Sequence, residues 1–404
     1  MLLSARRYDT LRPVALTVER GRIGRIEPAA HASPPHPPPL SHEGRGEMNA
    51  AAADAALPLV APGLVDLQIN GYAGIEFNDP QLTIEKVRQV ALSQDRFGVT
   101  AFLATCTTDA LDVLALSFAT IARAIRELPE VAARIPGIHC EGPFISPEDG
   151  PRGAHPQQHV RPPNWDEFRR LQDAAEGKIK LLTISPEYDS SADVIRRAAD
   201  SGVLVAIGHT QATSDQIKAA VDAGARMSTH LGNGAHPQIK RHPNYIWDQL
   251  ADDRLVASLI VDGHHLPPAV VKSMVRAKTP ERIVLVSDIT SMGGMSPGKY
   301  QTGLGELEVL PSGKLVPAGS PDILAGASLP IDLCVANVMR FAGVDLAAAI
   351  DMASTRPAEL IGLPNHALEA GSPADLVLFD LPQAAGQPLH VRATYHGGER
   401  TFAA

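Results

Sequence analysis

Cysteine is scarce, with only Cys106, Cys140 and Cys334 in 404 residues. They are too few and too far apart for a disulfide framework or a CxxC metal knuckle, and their scarcity fits a reducing compartment. No run of 18 apolar residues occurs, so nothing reads as a membrane-spanning helix and no membrane partner is expected. The start, MLLSARRYDT, puts Arg6 and Arg7 where a signal peptide needs its apolar stretch, so the sequence predicts a cytoplasmic protein. Basic charge is also short. Lys plus Arg number 36 against 45 Asp plus Glu, a net charge of −9 with no basic cluster, which argues against a nucleic-acid partner. Neither a GxGxxG turn after the first βα strand nor a Walker-type loop is present, which counts against an open doubly wound nucleotide-binding sheet.

What is present suits one large soluble core. Hydrophobic residues make up 44% and charged residues 20%, ordinary values for a folded chain, and the length fits a barrel with a small satellite domain. Alternating runs at 14–18, 22–26, 374–379 and 391–395 read as strands. They predict a small β-sandwich domain built from both termini, residues 1–61 and 371–404. Within it, HASPPHPPPLSHEGRGEMNAAAADAA at 31–56 is Pro-rich and then Ala-rich without periodicity, the composition of a loop insertion. Deleting residues 33–50 is therefore expected to leave melting temperature and kcat nearly unchanged, because loop closure entropy changes slowly with length; a large drop in melting temperature would show that the prolines dock on the fold.

Between the ends, one theme repeats: a short β-branched run ending in a polar residue, then a helical stretch. Candidate strands lie at 64–69, 100–105, 136–140, 179–184, 203–208, 226–230, 256–261 and 282–287, and helical periodicity at 83–97, 111–128, 192–200, 215–223 and 268–277. Eight such units predict a (β/α)8 barrel over residues 62–370.

Barrel chemistry sits at the carboxyl ends of the strands. There the sequence places Gln68 and Asn70, Glu141, His209, His230, His265 and Asp288. A single strand-end histidine is more often a hydrogen-bonded core or surface residue. One carboxylate and two imidazoles from separate strands, however, form a three-ligand set with an open fourth position, as in catalytic zinc sites. Glu141, His209 and His230 are thus the candidate ligands of one divalent metal, zinc by this pattern, with iron, manganese and cobalt as other candidates. Asp288 follows the apolar run 283–286 and would be costly inside a barrel mouth without a partner, which suits a general base. His265, beyond Asp262 and Gly263, is placed to donate to a substrate carbonyl oxygen.

These strand ends, in order and spacing, resemble the N-acetylglucosamine-6-phosphate deacetylases of the metal-dependent amidohydrolase superfamily. The shared pieces are PGLVDLQINGYAGIEFND, HCEGPF, RGAHP, SPE, GHTQAT, STHLGN, DGHH, VSD and LAGASL, spread over about residues 57–380. The resemblance implies the same three ligands, Asp288 as base and then acid, and His265 polarising the acetyl carbonyl. It also implies His155 on the sugar, the backbone of Asn233 and Gly234 at the sugar phosphate, and Arg241, eleven positions after His230, as a phosphate ligand. Such an arginine is sometimes supplied across a dimer interface, so a homodimer is expected.

The chain departs from that pattern in places. Gln68 and Asn70 replace the HxH of most amidohydrolases, which implies one metal, with the amides holding a water where a second ion would sit. The stretch after His230 reads HLGNGAHPQIKRHPNYIWDQL, adding His236, Lys240, His242 and Trp247 around the expected phosphate pocket. The implied activity is hydrolysis of the N-acetyl group of an amino-sugar phosphate, N-acetylglucosamine 6-phosphate giving glucosamine 6-phosphate and acetate. An amidohydrolase acting on another N-acylated or cyclic amide fits the same metal site, and a barrel retained only for metal or sugar binding would need no poised base.

Overall fold

The computed structural model describes residues 1–29, 56–302, 305–320 and 324–404. All but the last residue of the Pro- and Ala-rich insertion expected at 31–56 lies outside the described residues.

Eight parallel strands form the expected barrel: Leu64–Ile69, Val99–Thr107, Gly137–Glu141, Ile179–Ile184, Leu204–Ile207, Met227–Ser228, Val256–Leu259 and Ile283–Leu285. Each pairs with the next in sequence, and a parallel bridge from Ile69 to Ile289 joins the eighth unit back to the first. Alternation along each strand sorts the side chains by face. Ile138 and Cys140 pack outward with the helices, whereas Val65, Leu67, Leu181, Ala206, Met227 and Val284 fill the barrel interior.

The helical periodicities are matched by Ile84–Ser93 continued by a 3-10 turn at Gln94–Phe97, Leu111–Glu127, Ser191–Asp200, Ser214–Ala223 and Pro268–Lys278. Further helices at Trp165–Ala174, Tyr245–Ala251, Ile331–Ala342, Leu346–Met352 and Thr355–Leu360 complete the outer layer.

The terminal strands join in one seven-stranded order, with Leu2–Arg7, Pro13–Glu19, Arg22–Pro28 and Leu59–Pro62 from one end and Leu376–Asp380, His390–His396 and Glu399–Ala403 from the other. Asp95 fastens this sheet to the barrel. Its carboxylate accepts from buried Arg134 at 2.7 and 2.6 Å and pairs with His396 at 3.1 Å, while its carbonyl takes the Thr394 hydroxyl at 2.6 Å. Burial alone would raise the Asp95 pKa, but its bonds to His396 and Arg134 outweigh burial and hold it below the usual carboxylate value.

After the eighth strand the chain adds a three-stranded antiparallel sheet, Gly298–Thr302, Gly305–Val309 and Leu315–Pro317, that the sequence reading did not anticipate. Its turn reaches the end of the seventh barrel unit, where the Ser312 carbonyl stands 3.1 Å from His264 Nε2. No helix among the described residues is long and apolar enough to cross a membrane.

Candidate active site

The carboxyl ends of the third, fifth and sixth strands bring Glu141, His209 and His230 together in the barrel mouth, all buried. Glu141 Oε1 lies 3.1 Å from His209 Nε2 and 2.9 Å from His230 Nε2, and the two nitrogens are 3.2 Å apart. Ligands about 2.0–2.1 Å from a tetrahedral zinc ion stand roughly 3.3 Å from one another, so this triangle has the size of a metal-ligand face.

The proton count points the same way. His209 Nδ1 faces the Pro151 carbonyl at 2.8 Å, and a carbonyl can only accept, so Nδ1 carries the proton and the neutral ring turns a bare Nε2 lone pair toward Glu141. A lone pair against a carboxylate oxygen needs a cation between them, either a proton or a metal ion. Two glycines pin the ring in that pose. A Cβ on Gly234 would come 2.7 Å from His209 Nδ1, and one on Gly153 would lie 3.3 Å from Cε1. Burial would raise the Glu141 pKa, but the two imidazoles, His209 and His230, gathered at its Oε1 outweigh it and hold the carboxyl well below its ordinary value.

Three of the nine non-glycine residues with positive φ among the described residues fall at this site. His209, His230 and Asp288 adopt φ of 49°, 29° and 52°, a region side-chain-bearing residues rarely occupy. Such residues each cost on the order of 1–3 kcal/mol and persist where the surroundings hold them, most often at functional sites.

Gln68 and Asn70 reach the carboxylates directly. Gln68 Nε2 donates to Glu141 Oε2 at 2.9 Å, which leaves Oε1 as the atom facing the two imidazoles. Asn70 Nδ2 donates to Asp288 Oδ1 at 2.7 Å, and Asn70 Oδ1 is buried without a hydrogen-bond partner among the described residues. Burial first, and then the Glu141 charge, push Asp288 up to about 6, while His230 and the Asn70 bond pull the other way.

His265 Nδ1 donates to Asp262 Oδ2 at 2.8 Å, and Asp262 Oδ1 accepts the backbone N–H groups of His264 and His265 at 2.8 and 2.9 Å. The turn thus orients the ring and sets a carboxylate behind it.

His155 packs against His209 with ring centroids 4.3 Å apart and planes inclined at 59°, and a ring nitrogen of it lies within 4.8 Å of a carboxylate oxygen of Glu141 and a ring nitrogen of His209. Its Nδ1 is committed elsewhere. The Thr108 backbone N–H donates to it at 3.3 Å and the Thr108 hydroxyl lies 2.8 Å away. Since Nδ1 accepts, the proton of the neutral ring sits on Nε2, which makes His155 a donor to a bound molecule and not a fourth ligand. Burial and then the nearby His209 push its pKa down to about 3, so the ring is neutral.

Asn233 stays close to the ligands, its N–H bonding the His230 carbonyl at 2.9 Å, with Gly234 beside it against His209. Arg241 is not drawn in. It stands exposed on the loop that follows, with its carbonyl held by Asn244 Nδ2 at 3.2 Å and no ion pair to another described residue. Exposed Ile239 and Trp247 flank it.

Three residues of the site had no role in the sequence reading. Asp66, buried in the first strand, accepts the Gln68 N–H at 3.1 Å and the Ser287 N–H at 3.2 Å, tying the amide strand to the Asp288 turn. A carboxylate inside the apolar run LVDLQI was its signal. Asp262 stood in plain view within DGHH. Thr108 left no trace, because a threonine after a strand is unremarkable.

Taken together, the barrel and its mouth have the make-up of a metal-site hydrolase: a carboxylate and two imidazoles at metal-ligand spacing, a raised carboxylate beside them, and further imidazoles around the opening. The chain belongs to the amidohydrolase family, whose profile matches residues 59–403. It is 34% identical over 354 residues to the N-acetylglucosamine-6-phosphate deacetylase of Bos taurus, covering 84% of this chain and 83% of that one. It is also 33% identical over 344 residues to the N-acetylgalactosamine-6-phosphate deacetylase of Escherichia coli O157:H7, with 84% and 87% covered. Among solved structures, the N-acetyl-D-glucosamine-6-phosphate deacetylase of Mycobacterium smegmatis in complex with N-acetyl-D-glucosamine 6-phosphate superposes with a TM-score of 0.83 at 30% identity over 99% of both chains.

Proposed function

We propose that the protein hydrolyses the N-acetyl group of N-acetylglucosamine 6-phosphate, releasing acetate and glucosamine 6-phosphate, in the cytoplasm and as a homodimer. The observation that carries the chemistry is the 2.9–3.2 Å triangle of Glu141, His209 and His230 with Asp288, raised to about 6, beside it. The substrate class rests on relatives at 31–34% identity over most of the chain, the great majority named for the glucosamine phosphate. The barrel, residues 62–370, carries the chemistry; residues 1–61 and 371–404 form the supporting β-domain.

Glu141, His209 and His230 would hold one divalent metal, zinc by donor type, through one carboxylate oxygen and two imidazole nitrogens. When bound, such an ion supplies Lewis-acid polarisation and a lowered pKa for water. The chain's own groups divide the remaining work. Asp288 takes a proton from water and returns it to the departing nitrogen, since an amine leaves an amide readily only when protonated. Its accepting bond from Asn70 keeps the carboxylate oriented between those two transfers. His265, whose Nδ1–H is taken by Asp262, donates to the carbonyl oxygen from Nε2 in its doubly protonated form, which the Asp262 carboxylate behind it stabilises, as negative charge develops there. His155 offers Nε2–H to the sugar.

Phosphate falls to the loop after His230. The backbone at Asn233 and Gly234 lies beside the ligands, and Arg241 supplies the planar fork that grips phosphate bidentately. An exposed Arg241 between exposed Ile239 and Trp247 suits a loop that a second copy covers, its arginine then reaching the partner's mouth. Arg241→Ala is expected to raise KM about tenfold or more for the phosphorylated sugar and far less for N-acetylglucosamine, because the contact is remote from the scissile bond. Equal effects on both would remove phosphate from the assignment. The direct test of the function is acetate release from a panel of N-acetylhexosamines with and without a 6-phosphate, the galacto epimer included; turnover only on unphosphorylated or cyclic amides would overturn it.

A further inference from the structure

Below the ligands the barrel interior is not uniformly apolar. His139, Thr183 and Thr229 are fully or almost fully buried there. His139 Nε2 lies 2.7 Å from Thr183 Oγ1, and Thr183 Oγ1 lies 2.7 Å from Thr229 Oγ1. Thr105 Oγ1 approaches the other ring nitrogen of His139 at 3.4 Å. The chain of bonds runs from the third strand through the fourth to the sixth. It passes in front of the fifth at Gly208, where a Cβ would come 2.7 Å from Thr183 Cγ2 and 2.9 Å from Thr229 Cβ. The missing side chain is the gap through which the two hydroxyls meet.

His139 sits two residues before Glu141, Thr229 one before His230, and the Gly208 gap one before His209. Thr183 is the exception, since its strand contributes no ligand. Directly beneath lie Leu181, Ala206 and Met227, an apolar layer that gives the hydroxyls nothing to bond to. A buried hydroxyl without a partner costs free energy that an aliphatic side chain would not, so this layer is held by its mutual bonds.

The geometry points to His139, Thr183 and Thr229 as a positioning belt that fixes the spacing of Glu141, His209 and His230, with the Thr183 hydroxyl as its central link. The Thr183 backbone pairs with Glu141 across the strands, while its hydroxyl is bonded to His139 and Thr229 and not to a ligand side chain. It acts through His139 and Thr229, which set the heights and rotations of the strand ends that present the ligands, as groups behind a metal site do. The belt rests on the metal-centre reading.

The test uses full-length, metal-stripped protein and zinc alone, with a chromophoric chelator in competition. Thr183→Val, which keeps the shape and removes the hydroxyl, is expected to weaken zinc binding about 10- to 100-fold. Thr183→Ser, which restores it, should stay within about threefold of wild type on the same scale. Melting curves separate this from simple packing. A merely structural hydroxyl would lower the metal-free and zinc-loaded transitions equally, whereas the belt requires that the stabilisation gained from zinc shrink in Thr183→Val. If Thr183→Val does not fold, Thr183→Ala serves with less bulk. Wild-type binding of zinc with unchanged affinity in the hydroxyl-free variant overturns the belt alone; failure of the wild type to bind zinc overturns the metal centre and the belt with it.

Discussion

Asp288→Asn should lower kcat about a thousandfold, within the roughly 10²–10⁴ that a positioned acid-base group contributes, while the fold and metal content survive. Asn at this position keeps an Oδ1 acceptor for the Asn70 amide, so the 2.7 Å bond that orients the side chain is retained and the proton-carrying function alone is lost. Binding of substrate, assigned in the proposal to His155, Asn233, Gly234 and Arg241, should change little, so the loss is expected in kcat and not in KM. Activity within tenfold of wild type would remove Asp288 from the chemistry.

The same residue sets a pH dependence whose direction is fixed. A base must be ionised to accept a proton, so kcat/KM falls as pH drops through the Asp288 pKa. Burial and the Glu141 charge place that value at about 6, and a bound cation, which favours the carboxylate, moves the limb to lower pH. Asp288→Asn should flatten this acid limb in whatever activity remains. In metal-free protein the sign on stability is opposite. A carboxyl whose pKa is raised by folding costs stability as pH climbs from about 4 through 6, because the unfolded chain releases its proton first. The asparagine variant should therefore be at least as stable as wild type above that range, which thermal melts at pH 5 and 8 would show.

Much of the barrel was legible because its signal is periodic. Strands such as Leu64–Ile69 and Ile179–Ile184 match the sequence reading residue for residue, and the others differ by at most two residues at either end. The candidate site was legible for another reason: strand ends are where a barrel presents its chemistry, and Glu141, His209, His230 and Asp288 each fall at the end of a strand-like run. The three-stranded sheet over 298–317 was not legible, since its short, polar, glycine-bounded strands read as loop. The helices Trp165–Ala174 and Tyr245–Ala251 begin at Asn caps, Asn164 and Asn244, whose side chains accept the first free N–H groups, but they are short and much of each is solvent-facing. Thr108, Thr183 and the Gly208 gap lay beyond reach for a deeper reason. Their roles exist only as contacts between strands, and no spacing along the chain encodes which hydroxyl meets which ring.

Stripping the metal with a chelator should lower activity at least about a thousandfold, equivalent to roughly 4 kcal/mol of transition-state stabilisation, and one equivalent of zinc per chain should restore it. The single equivalent follows from where the first-strand amides point. A second ion beside Glu141 would need lone pairs from positions 68 and 70. Gln68 instead directs its N–H at Glu141 Oε2, so a donor occupies the direction a cation beside that carboxylate would take. Glu141→Gln should act like partial stripping even when zinc is supplied, because a neutral amide keeps the shape but loses the charge that offsets the cation. Elemental analysis of zinc-saturated protein, set beside the recovery of turnover during titration, gives the count directly. Recovery complete at one equivalent fits the three-ligand centre; a second equivalent needed for turnover would mean that Gln68 and Asn70 rotate to serve as ligands, and full activity after stripping would remove the metal from the reaction.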